Sequence, residues 1–245
     1  MIPKVIHYCW FGRGEKPAKV RYCMASWKKV LPDWTFMEWN EDNFDMSPWP
    51  YAAEAYQNGK YAFVSDVARL YALYTEGGVY LDTDVELLKP LEPFLGHIAF
   101  GGYERGTDLT TGLIGAEKGS IWVKEFLDLY EGLHFVQTDG SMDLMTNVRR
   151  ITDYMTSVHG FRQDDTFQVF DGLITIYPAQ YFSPLDPLTR KVRRTSETVA
   201  IHHYIASWEP QTPVLWFRKL VMRTMGVGAY DRIRAFKLKL FPKPW

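Results

Sequence analysis

Two hydrophobic periods take turns along the first two thirds of the chain. Val5 to Tyr8 is a short β-branched and aromatic run that predicts a buried strand. Gly12, Gly14 and Pro17 mark a loop, and Ala18 to Val30 returns at helical spacing before Pro32. Thr35 to Trp39 alternates as a second strand, Asp42 to Pro50 reads as a loop, and Ala52 to Gln57 as a short helix stopped at Asn58-Gly59. Phe63, Val64, Val67, Leu70, Tyr71 and Tyr74 recur with the helical period. Gly77-Gly78 then supplies a stop, because glycine enters the left-handed conformation that closes many helices. Val79 to Leu81, Ile98 to Gly101 and Leu113 to Ala116 predict further strands. Ser120 is the expected N-cap of a helix running to Tyr130, and Leu144 to Val158 predicts another helix. Leu173 to Tyr177 and Thr198 to His202 read as late strands.

Strands alternating with helices predict an α/β domain with a mostly parallel central sheet. In such sheets ligands bind beyond the carboxyl ends of the strands. Asp82-Thr83-Asp84 follows the Val79 strand at that position. On an extended chain residues two apart face the same way, so the two carboxylates would converge. Such a pair suits a hard divalent cation, which selects oxygen ligands and can in turn hold a diphosphate. Alone, two aspartates two apart often mean only a solvated turn. The apolar strand, the glycine pair and the charged helix before it favour a site.

Asp66 and Arg69 are three apart and share a face of that helix, beside apolar positions. They read either as an ion pair at the core's rim or as a pair turned into the cleft toward hydroxyls and phosphates, which suit the arginine fork. Trp10 follows the first strand and is either core or a platform for a base. His202-His203 with Ser207-Trp208 forms a last cluster. Adjacent strand residues face opposite ways, so at most one of the two histidines meets the cleft. An imidazole there would complete the coordination of a borderline cation such as Mn²⁺.

The order of these segments resembles family 32 glycosyltransferases, in the bacterial capsule and lipopolysaccharide branch that is related to fungal initiating mannosyltransferases. PKVIHYCWFG at 3–12, Ser26-Trp27 and PDW at 32–34 match its opening. SDVARLYALYTEGGVYLDTD at 65–84 matches its central signature, which clostridial toxin transferase domains share more distantly. IYPAQYFSP at 176–184 and AIHHYIASW at 200–208 match its closing block. The resemblance implies a GT-A fold: a single Rossmann-like domain that binds a nucleotide sugar with Mn²⁺ or Mg²⁺ and transfers the sugar with retention. By the same resemblance Trp10 stacks on the base. Asp66 and Arg69, with Ser65 and Thr83 beside them, hold donor hydroxyls. Asp82 serves ribose, sugar and metal, Asp84 is the main metal ligand, and His203, with His202 as the second choice, completes the metal site. Ser207 and Trp208 form the lid over the β-phosphate. The implied catalytic set is Asp66, Arg69, Asp82 and Asp84.

At 245 residues and 47% hydrophobic the chain is long enough for one sizeable core, expected over residues 1–210. The net charge of −1 hides an asymmetry: from Val214 onward eight Lys or Arg face Asp231 alone, against 20 basic and 28 acidic residues before it. Residues 211–245 are therefore expected to form a basic, amphipathic helical extension. It would either dock on anionic membrane or pack on the domain with a solvated basic face. Basic residues gathered in one tail, with no recognition motif, argue against nucleic acid as a partner. Cys9 and Cys23 are too few for a disulfide framework. The N-terminus does not read as a signal peptide. A cytoplasmic protein is expected, peripheral at the inner leaflet if the tail docks.

The leading expectation is a metal-dependent retaining transferase. It would move a hexose, UDP-galactose being the first donor considered, to an oligosaccharide or lipid-linked acceptor in bacterial surface polysaccharide synthesis. The competing readings are a nucleotide-sugar hydrolase or phosphodiesterase on the same fold, and a non-catalytic carbohydrate-binding protein.

Overall fold

The computed structural model describes residues 1–187 and 189–205. The basic extension expected at 211–245 lies outside them. The elements follow in the order β1 (Val5–Cys9), α1 (Ala18–Val30), β2 (Thr35–Trp39), α2 (Pro50–Gln57), α3 (Tyr61–Glu76), β3 (Gly78–Leu81), β4 (Val85–Leu87) and β5 (Ala99–Glu104). Then come β6 (Asp108–Leu109), β7 (Leu113–Ala116), α4 (Ile121–Asp128), α5 (Asn147–His159), β8 (Gln168–Phe170), β9 (Ile174–Tyr177), α6 (Ala179–Phe182) and β10 (Ala200–His202). The main sheet runs β2-β1-β3-β7-β5-β9-β8, with β6 paired to β5. Strands β2, β1, β3, β5 and β9 run one way; only β7 and β8 on that path run against them. The α/β architecture with a mostly parallel sheet is as expected.

Each face of the sheet packs its own core. Trp122, Phe126, Ile151, Tyr103 and the apolar side of α3 fill one, and Trp27, Leu87, Phe94, Phe100 and Phe182 the other. Among the described residues no helix is long and apolar enough to cross a membrane.

The Gly77-Gly78 pair ends α3 and launches β3. Both residues lie at positive φ, +66° and +113°. A Cβ on Gly77 would stand 2.5 Å from the Lys118 nitrogen, and one on Gly78 2.7 Å from the Val5 carbonyl oxygen. Buried His7 braces this turn. Its Nε2 lies 2.7 Å from the Gly77 carbonyl and its Nδ1 accepts from Trp39 Nε1 at 3.0 Å. A carbonyl can only accept and an indole N–H can only donate, so the ring is the neutral Nε2–H tautomer. Burial pushes its pKa down, in keeping with that state.

The strand expected at Thr198 to His202 is present as β10, and its partner β4 was not expected. β4 and β10 form a separate antiparallel ribbon, with His202 opposite Val85. Ser26 and Trp27 of α1 hold that ribbon: Leu87 N–H donates to Ser26 Oγ at 2.9 Å, and Trp27 Nε1 to the Val85 carbonyl at 2.7 Å. Ser120 precedes α4, but its side chain makes no cap bond. α5 starts at Asn147 rather than Leu144, because the Thr146 hydroxyl accepts from Arg149 N–H as its cap.

Candidate functional site

Asp82, Thr83 and Asp84 lie between β3 and β4, at the end of the sheet where β1 delivers Trp10. They form a turn, closed by Val85 N–H donating to the Asp82 carbonyl at 2.9 Å. The two carboxylates converge through this turn, and the strand alternation expected from sequence is not the reason. His202, from the end of β10, joins them. One ligand atom from each of Asp82, Asp84 and His202 lies within 4.8 Å of the others. His202 Nε2 is 3.2 Å from Asp84 Oδ1 and 3.7 Å from Asp82 Oδ2.

The imidazole at the carboxylates is thus His202, and the expectation of His203 is corrected. His203 faces the other way, its Nε2 2.7 Å from Glu86. The pairing of β10 with β4 fixes this choice. Asp84 is held further by Ile205 N–H at 2.7 Å to its Oδ2. Burial opposes charge on His202, but Asp84 and Asp82 outweigh it and raise its pKa to about 9. Burial likewise opposes charge on Asp84, yet His202 and the Ile205 N–H bring it down to about 2.

The donor set fits a divalent cation. Two carboxylates and an imidazole are ligands for Mn²⁺ or Mg²⁺ chemistry. The space between them is kept open by Gly112, whose Cβ would fall 2.8 Å from the His202 ring and 3.0 Å from Asp82 Oδ2.

Arg69 organises the other side. Its Nη2 is 3.0 Å from Asp66 Oδ1 and its Nη1 3.4 Å from Asp82 Oδ1. Nη1 also donates to the Thr111 carbonyl and hydroxyl at 2.8 and 3.1 Å, and Nε to the Ser65 carbonyl at 3.1 Å. The guanidinium lies over the Tyr80 ring, and Tyr80 hydroxyl donates to Asp82 Oδ1 at 3.0 Å. Most of the arginine's five N–H groups are therefore spent on protein. Arg69 is a buried brace that orients Asp66 and Asp82, more than the free ligand fork the sequence suggested. Burial raises the Asp66 carboxyl to about 6, against the pull of Arg69.

Trp10 stands half-buried beyond β1, its indole N–H donating to the Gly14 carbonyl at 2.7 Å. Ser65 Oγ donates to the Tyr61 carbonyl at 3.1 Å within α3, and Thr83 is half-buried in the turn. Ser207 and Trp208 lie outside the described residues. Gly112, Thr111, Tyr80, Asn147 and Glu104 were missed. Asn147 Nδ2 donates to the Asp66 carbonyl at 3.2 Å from 81 residues away, a contact without a local sequence signal.

Residues 17–100 match the family model described as the glycosyltransferase sugar-binding region containing the DXD motif. Over that third of its length the chain is similar to the DXD glycosyltransferases. It is 30% identical over 122 residues to inositol phosphoceramide mannosyltransferase 3 of Schizosaccharomyces pombe, covering 48% of this chain and 34% of that protein. Inositol phosphoceramide mannosyltransferase 1 of the same organism is 29% identical over 106 residues, covering 40% and 33%. The chain thus matches about a third of the length of these curated relatives. In fold it is similar to the PaToxG glycosyltransferase, with a TM-score of 0.50 and 20% identity over 65% of this chain and 71% of that one. The GT-A expectation holds.

Ligation of a cation at this site would need a neutral imidazole, so binding would release the His202 proton. Apparent Mn²⁺ affinity is expected to rise about tenfold per pH unit up to pH 9 and then level off, since below that value the metal-free ring is protonated. Calorimetric titration at pH 6.5, 7.5 and 8.5 measures the slope. His202→Ala should weaken affinity and flatten that slope, whereas His203→Ala should leave both unchanged.

Proposed function

We propose that this chain is a metal-dependent, retaining glycosyltransferase that moves a hexose from a nucleoside-diphosphate donor to a saccharide acceptor. One observation carries the reading: Asp82, Asp84 and His202 converge at the carboxyl end of the sheet, with both aspartates inside the matched sugar-binding region. When bound there, a divalent cation supplies Lewis-acid stabilisation of the charge growing on the leaving diphosphate.

The chain's own residues bind and orient. Trp10 offers its face to the base. Asp66, braced by Arg69 and Asn147, turns a carboxyl toward hydroxyls of the donor. Asp82 is fixed by Tyr80 and Arg69, so its second oxygen keeps one direction. Transfer proceeds with same-face attack: the acceptor oxygen bonds to the anomeric carbon as the bond to the β-phosphate oxygen breaks. The acceptor proton leaves with that phosphate.

UDP-hexose, galactose first, is the leading donor. A mannosyl donor is the second reading, favoured by the two fungal relatives, which are mannosyltransferases by name. The acceptor is an oligosaccharide or lipid-linked saccharide of a bacterial surface polysaccharide, met at the inner leaflet. The basic, aromatic composition of residues 214–245 supports a peripheral membrane contact.

The test is a thermal-shift screen of UDP, GDP and their hexose conjugates, each with Mn²⁺ and with EDTA. A ligand that binds only the folded state raises the melting temperature by mass action. A shift confined to one base and lost in EDTA is the expected result and names the donor base. No shift with any nucleotide would overturn the reading.

A further inference from the structure

Glu104 ends β5 and is 6% exposed. Its carboxylate makes no hydrogen bond or ion pair among the described residues. Strand alternation sets Glu104 on the face shared by Phe100 and Gly102. That face meets α6: the Phe100 and Phe182 ring centroids are 5.9 Å apart, and a Cβ on Gly102 would lie 2.9 Å from Phe182. The same side carries His202 and Tyr204, whose rings stack at 4.0 Å and 26°. Thr110 N–H donates to the Gly102 carbonyl at 2.8 Å, which runs the end of β5 alongside the loop whose Gly112 meets His202 and Asp82, and the charges of His202, Arg105, Asp108 and Asp82 all act on Glu104. His202 Nδ1, on the ring edge away from the carboxylates, is buried without a partner.

A carboxyl on a largely buried side chain that no protein group bonds adds desolvation without a compensating contact. Glu104 therefore contributes nothing visible to the fold, and its use is to be sought in a ligand. The site has two flanks. Arg69, paired with Asp66, approaches Asp82 at Oδ1, and His202 approaches Oδ2. Donor hydroxyls are assigned above to the Asp66 flank. The His202 flank is left for the second substrate, and a carboxyl both accepts and donates to hydroxyl groups.

We propose that Glu104 is an acceptor-binding residue, whose carboxyl hydrogen-bonds a hydroxyl of the incoming saccharide other than the attacking one. This rests on the transferase reading above. Losing such a contact costs about 10–100-fold in saccharide affinity.

The test uses the full chain with Mg²⁺, in the presence of UDP, of GDP, and of neither nucleotide. Saturation-transfer NMR follows methyl α-glucoside, methyl α-galactoside and methyl α-mannoside. At least one should bind the wild type, tenfold or more weakly to Glu104→Ala, and to an intermediate degree to Glu104→Gln. Without ligands, Glu104→Gln should melt at or above the wild-type temperature, which shows that the variant folds. The nucleotide-induced melting shift should be the same in all three proteins. Equal saccharide binding by wild type and Glu104→Ala overturns the proposal, as does no binding to the wild type in any arm. Parallel loss of the nucleotide shift also overturns it, since Glu104 would then serve the metal and diphosphate. A wild type that binds saccharide through Glu104 but shows no nucleotide shift sinks the transferase reading alone.

Discussion

Asp84→Ala is expected to abolish the EDTA-sensitive melting shift given by nucleotide and to lower sugar transfer by at least 10²–10³-fold. Electrostatic stabilisation of developing charge commonly carries that much of a rate, and in the proposed transfer the charge lies on the leaving diphosphate. The change removes three things at once: a ligand, the carboxylate 3.2 Å from His202, and the acceptor for Ile205 N–H. Breaking a buried ion pair by deleting one partner costs on the order of 3–5 kcal/mol, so the metal-free variant should also melt lower. Asp84→Asn keeps the shape and an oxygen for Ile205, and it separates the two effects. Its stability should recover toward wild type while the nucleotide shift stays lost. A shift that survives in both variants would remove Asp84 from the metal site.

The second large effect is expected at a residue with no functional group. Gly112→Ala should weaken Mn²⁺ binding about 10–100-fold, the range found when a group supporting metal ligands is disturbed, with a matching loss of transfer. The added methyl would stand 2.8 Å from His202 and 3.0 Å from Asp82 Oδ2. His202 is buried and stacked on Tyr204, so its ring has little room to give way. The lesion is local: Asp82 N–H still donates to the Gly112 carbonyl, a bond of the backbone alone. The circular dichroism spectrum should therefore remain native. Unchanged Mn²⁺ affinity in calorimetry would mean that the ion sits elsewhere.

These two sites differ in how far the sequence announces them. Asp84 is legible because an apolar strand, a glycine pair and two spaced carboxylates are all local features. The helices and strands around it were equally so: α1, β2 and β7 were expected at the bounds observed, since their periods are written in consecutive residues. Gly112 and Glu104 carry no such signal. A glycine before a strand and a glutamate ending one are common, and only their neighbours in space give them meaning.

The sequence by itself determined the α/β alternation, the glycine stop of α3, the carboxylate pair and the family resemblance, because each rests on short-range periodicity or on contiguous motifs. Tertiary structure decided what depends on register and approach between distant segments. The pairing of β10 with β4 turned His202 to the carboxylates and sent His203 to Glu86. The crossing of α3 with the Thr111 loop used most of the Arg69 fork as a brace. Burial at the end of β5 left Glu104 unpaired. Each of these joins residues 40 to 120 positions apart, or sets a strand end in a packed layer. No local pattern encodes such juxtapositions, because they follow from how the two cores close over the sheet.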